Sequence, residues 1–185
     1  MKRIAIMLSN GVEDTELITV HDILTRAKYH VETFSIEKDK EIKTRNNIVL
    51  TADNLYGEIN LEEFDLLFIP GGPAINRIEY KEKDKYKEIL DSIISSFDDK
   101  YIAAICAAPI LIANRNILDN INFTLHPSME EKLTTVIKKN LVKQDVVVNK
   151  KIITGKNLIS SLEFSKKIIE ILDGTKKAKK IFSEI

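Results

Sequence analysis

One cysteine, one histidine before a proline and two glutamates at the start of a helix carry most of the chemistry this sequence offers. Cys106 closes the apolar run Tyr101 to Ile105 and opens a run of small and aliphatic residues, Ala107 to Ala113. A buried strand that becomes a helix at one residue forces that residue into a tight turn, its side chain above the end of the sheet. Free N–H groups and the helix dipole lower a thiol pKa in that setting. Cys106 is therefore expected to be a nucleophile that titrates well below the ordinary value of about 8.5. Pro109 fits the first helical turn, where its missing N–H costs little. The plain alternative is a buried structural cysteine, since free Cys is often a core residue.

These groups need elements that bring them together, and the chain supplies alternating strands and helices. Strands are expected at Arg3 to Leu8, Val31 to Ile36, Asp65 to Ile69, Tyr101 to Ile105 and Ile121 to Leu125. Hairpins are expected over Ile42 to Thr51, with a polar tip at Arg45-Asn46-Asn47, and over Asp145 to Thr154. Helical periodicity falls on Glu13 to Lys28, Tyr86 to Phe97 and Ser161 to Leu172, the last stopped by Gly174, with a short helix over Ser128 to Ile137. Asp53 to Glu63 reads as irregular, and Lys176 to Ile185 as a Lys-rich amphipathic tail. The pattern gives an α/β sandwich around a mostly parallel central sheet, with residues 1–185 as one domain. Sites in such folds lie beyond the carboxyl ends of the strands.

All four prolines adjoin strand ends, and Pro70-Gly71-Gly72-Pro73 follows the third strand. Cys106, His126, Glu13 and Glu16 fall at the same edge. N–H groups at Gly71-Gly72 and at Ala107 are placed to bind a developing oxyanion, because glycine lets backbone approach a ligand closely. Taken singly, His126 is a turn residue, and acidic residues in a first turn only favour the helix dipole. His21 and His30 have no such setting.

Composition narrows the function classes. The 28 basic and 28 acidic residues cancel, which argues against a basic nucleic-acid binder. A single cysteine excludes an internal disulfide and a multi-cysteine metal site. The first residues lead straight into a short strand, and no apolar run is long enough to span a bilayer. The expectation is a cytoplasmic protein without metal, nucleic acid or membrane partner.

The blocks Gly11-Val-Glu-Asp-Thr-Glu16, Phe68-Ile-Pro-Gly-Gly72, Ala104-Ile-Cys-Ala-Ala-Pro109 and His126-Pro127 resemble the ThiJ/PfpI superfamily. The resemblance is to the branch of the parkinsonism-associated deglycase, DJ-one, and covers nearly the whole chain. It implies a flavodoxin-like three-layer sandwich that dimerises. It also implies Cys106 as reactive thiolate, Glu16 as the buried acid bonded to it, His126 as the nearby histidine, and the Gly72 and Ala107 N–H groups as the oxyanion site. Arg45 sits where that branch carries an arginine reaching the site from a partner subunit. The activity so implied is cofactor-free conversion of small reactive aldehydes, of glyoxalase or deglycase type, formally a hydro-lyase or hydrolase. Alternatives in the same superfamily are a redox sensor with chaperone action that responds through Cys106 oxidation, and an intracellular cysteine peptidase. Two features depart from the branch: Asn157-Leu-Ile159 replaces a Gly-Pro-Gly turn, so the crevice rim is expected to be bulkier or differently bent, and Ala108 replaces a glycine. Ser128 stands where related glutamine amidotransferases carry glutamate, which disfavours their triad.

Overall fold

The computed structural model describes residues 1–185. In chain order the elements are β1 (Arg3–Leu8), α1 (Asp14–Arg26), β2 (His30–Ser35), β3 (Glu41–Lys43), β4 (Val49–Thr51), β5 (Asn54–Leu55) and β6 (Leu66–Ile69). Then follow α2 (Pro73–Asn76), a π turn over Arg77–Lys81, α3 (Lys83–Ser95), β7 (Tyr101–Ile105), α4 (Pro109–Ala113) and α5 (Thr135–Lys138). The chain closes with β8 (Val146–Asn149), β9 (Ile152–Gly155), α6 (Ser161–Asp173) and α7 (Thr175–Phe182).

Seven strands form one sheet in the order β5-β2-β1-β6-β7-β9-β8, parallel except for β8. Period-two alternation in the central strands sorts their side chains to opposite faces. Ile4, Ile6, Leu8, Leu66, Phe68, Ala103 and Ile105 meet α1 and α6 on one face. Ala5, Met7, Leu67, Ile69, Ile102 and Ala104 meet α3 and α4 on the other. Both faces being covered, the strands are continuous apolar runs, and each fully buried Leu, Ile or Phe contributes roughly 1.5–3 kcal/mol.

Strand order runs outward to β2 and β5 on one side of β1 and to β6, β7, β9 and β8 on the other. The reversal between β1 and β6 is the topological switch point, where a crevice opens beyond the strand ends. A buried network braces that edge. Glu37, after β2, accepts from Tyr86 Oη at 2.6 Å and Ser9 Oγ at 2.7 Å, and pairs with Arg77.

Three expectations change. Ile121 to Leu125 does not join the sheet: Phe123 makes a single bridge to Leu141. Both edges of β9 are already taken, by β7 and β8, so the segment instead buries Ile121, Phe123 and Leu125 in the core. The span Ser128 to Ile137 is not one helix but a 3-10 segment, Pro127–Lys132, and the single turn α5. The helix after Cys106 starts at Pro109 and is five residues long.

Candidate active site

Cys106 directly follows β7 with φ +63°, in the left-handed region that a residue with a β-carbon seldom occupies. The turn is held on both sides: Cys106 N–H donates to Gly155 O at 2.8 Å, and Cys106 O accepts from His126 N–H at 2.8 Å. This is the elbow the sequence suggested.

Two backbone donors reach the sulfur, Ala107 N–H from the elbow and Gly72 N–H from the loop after β6. Gly72 has φ +100°, and a β-carbon there would lie 2.6 Å from Gly11 O and Glu13 N. Gly71 donates its N–H to Glu16 Oε2 at 2.8 Å. A β-carbon on Gly71 would lie 2.7 Å from Cys106 Cβ and 2.8 Å from that same oxygen. The glycine pair is thus a requirement of close approach, which places the carboxyl, the sulfur and two N–H groups around one point.

Glu16, in the first turn of α1, is fully buried and hydrogen-bonded to Cys106. Its Oε1 has no nitrogen or oxygen partner. An unpaired buried carboxylate oxygen is costly, whereas a protonated carboxyl donates to the sulfur. Burial raises the Glu16 pKa to about 7, against the opposing hydrogen bonds from Cys106 and Gly71. Burial, and then the Glu16 carboxylate, push the Cys106 thiol up rather than down. The expectation of a thiol acidified by the helix N-terminus and a hydrogen bond from Glu16 is therefore corrected. The short α4 supplies little dipole, and the two N–H donors offset only part of the burial that favours the neutral thiol.

Arg45, at the β3–β4 tip, lines the pocket of its own chain. Its Nη1 donates to Glu13 Oε2 at 2.8 Å, and Glu13 is almost wholly buried. Asp14 holds the same tip through Thr44 Oγ1 and through Asn46 Nδ2 at 2.9 Å. Glu13 therefore anchors the hairpin, and Glu16 is the acid at the sulfur. His126 lines the pocket as well, with Nδ1 2.8 Å from Ser128 Oγ and accepting from Ser128 N–H at 3.2 Å. No carboxylate orients its ring. Leu158 and Ile159 are exposed and do not line the pocket, so they add no bulk to its walls.

The pocket in front of Cys106 has a volume of about 460 Å³. Its walls include Asn76, Met129 and Lys132, which no sequence spacing marked. They arrive from two separate elements, and only folding makes them neighbours.

Known proteins resemble this chain in sequence and fold. The chain is 27% identical over 184 residues to protein dj-1beta of Drosophila melanogaster, covering 97% of this chain and 94% of that one. It is 27% identical over 174 residues to glutathione-independent glyoxalase DJR-1.2 of Caenorhabditis elegans, covering 94% and 89%. It is 28% identical over 176 residues to protein DJ-1 homolog B of Arabidopsis thaliana, of whose length it spans 39%. The solved structure of Drosophila DJ-1beta superposes with a TM-score of 0.84 over 99% of this chain and 96% of its own, at 27% identity. The DJ-1/PfpI family model matches residues 2–171, nearly the whole chain, and the chain belongs to the DJ-1/PfpI family.

Proposed function

We propose that the protein is a cofactor-independent cysteine enzyme acting on small reactive carbonyls, converting methylglyoxal to lactate. The observation that carries the reading is the shared buried niche of Glu16 and Cys106, with Gly72 and Ala107 N–H groups directed at the sulfur. The Cys106 thiolate adds to the aldehyde carbon, and the former carbonyl oxygen takes the Glu16 proton, giving a hemithioacetal. The Gly72 and Ala107 N–H groups favour the intervening oxyanion. The C1 proton then leaves to a base, Glu16 or His126, forming an enediol, and a proton returns at C2 to give a thioester. Water hydrolyses that ester, releasing lactate and restoring the thiol. The net reaction adds one water to methylglyoxal and needs no external oxidant.

The similarity to the glyoxalase of C. elegans supports this class of reaction. A peptidase is disfavoured, because no acid orients His126. Ile18, Ile48 and Val49 each leave about half their surface uncovered, which supports a second copy of the chain as partner. The test is purified protein with methylglyoxal and no glutathione. Wild type is expected to yield lactate, and equal lactate from Cys106→Ala defeats the mechanism.

A further inference from the structure

The pocket in front of Cys106 carries a positive charge that a neutral aldehyde does not use. Two cationic side chains line it, Arg45 and Lys132. Arg45 is neutralised by the buried Glu13. Lys132 is held differently. Its Nζ donates to Asn76 Oδ1 at 2.5 Å and lies 4.0 Å from the centre of the Tyr80 ring, and no carboxylate is within pairing distance. An amide oxygen and a ring face orient an ammonium without cancelling its charge. Tethering also reduces the side-chain entropy that binding would cost. The other acid near the sulfur, Glu16, is buried behind the cysteine and does not line the pocket, so it leaves Lys132 without a counter-ion.

The volume points the same way. A cavity of about 460 Å³ exceeds what a three-carbon aldehyde fills, so there is room for a further group beside the reacting carbonyl.

We infer that the carbonyl compound accepted here carries a carboxylate, with Lys132 as its counter-ion at the pocket rim and Asn76 holding the ammonium in place. A carboxylate gives Lys132 the partner that no carboxylate of the pocket lining supplies. The reacting group is that of the proposed function, and the inference rests on it. Lys132 acts on selectivity and not on the bonds that change.

The test uses two alkylating agents of nearly one size. Iodoacetate and iodoacetamide both react by displacement: the Cys106 sulfur bonds to carbon and iodide leaves. One carries a carboxylate and the other a neutral amide. Lys132→Met is expected to lower the iodoacetate-to-iodoacetamide rate ratio at Cys106 by about threefold or more, and Lys132→Arg to keep it. Added salt is expected to shrink the wild-type ratio. An unchanged ratio in Lys132→Met overturns the inference. Should that variant alter the iodoacetamide rate as well, wild type alone decides. Lactate is expected to protect Cys106 from iodoacetamide better than lactamide does, and equal protection overturns the inference. Neither readout involves turnover. Absence of methylglyoxal conversion with the charge selectivity intact therefore counts against the proposed function while the anion preference of the pocket stands, and the reverse result separates them the other way.

Discussion

Glu16 and Cys106 share one buried niche in which Gly71 N–H fixes one carboxyl oxygen at 2.8 Å, leaving the other with no nitrogen or oxygen partner. The two acids are close enough that neither titrates alone. Burial raises both pKa values, and the rise is partly offset at the sulfur by Ala107 and Gly72 N–H groups and at the carboxyl by Gly71 N–H.

Glu16→Gln separates two duties of that carboxyl. Glutamine keeps a donor toward sulfur and removes the carboxylate charge, but it cannot exchange a proton. Alkylation of Cys106 by iodoacetamide is expected to persist, while methylglyoxal turnover falls by about two orders of magnitude or more. Equal turnover in the variant and wild type removes the proton-transfer role from Glu16.

The same residue gives stability a pH signature. Burial raises Glu16 in the folded state from 4.5 to about 7. Between those values the unfolded chain has released the proton and the folded chain still holds it, so folded protein binds more protons and stability falls as pH rises. Wild type is expected to lose up to about 3 kcal/mol relative to Glu16→Gln between pH 4.5 and 7, with little relative change outside that window. Urea unfolding of both proteins at pH 5 and pH 7 measures this. Parallel stabilities at the two pH values contradict a protonated Glu16.

Gly71→Ala probes the crowding around the sulfur. The added β-carbon would stand 2.7 Å from Cys106 Cβ and 2.8 Å from Glu16 Oε2, so the elbow or the carboxyl must shift. A cost of about 1–3 kcal/mol is expected, along with a slower reaction of Cys106 with iodoacetamide. Gly57→Ala is the control, because a β-carbon there meets nothing within 4 Å. Matching unfolding midpoints and alkylation rates for the two variants would show that the loop after β6 yields freely.

The elements that respond to local patterning are legible in the chain. The apolar run Tyr101 to Ile105, the small residues after it and Pro109 mark the elbow, because strand burial and turn sterics act over a few residues. Pro70-Gly71-Gly72-Pro73 marks the crevice edge for the same reason. Other features depend on what the sheet brings near. Ile121 to Leu125 has strand character, yet stays outside the sheet because β9 has no free edge. Glu13 and Glu16 are equally acidic and three residues apart, and only the position of the β3–β4 tip gives Glu13 an arginine and leaves Glu16 with the sulfur. The direction of the Cys106 shift follows burial and a neighbouring carboxylate, not the strand-to-helix junction that the sequence displays. Lys132 carries no local signal. Its neighbours Asn76 and Tyr80 lie more than fifty residues away along the chain, and a charge acquires a partner, or lacks one, only when the chain has folded around it.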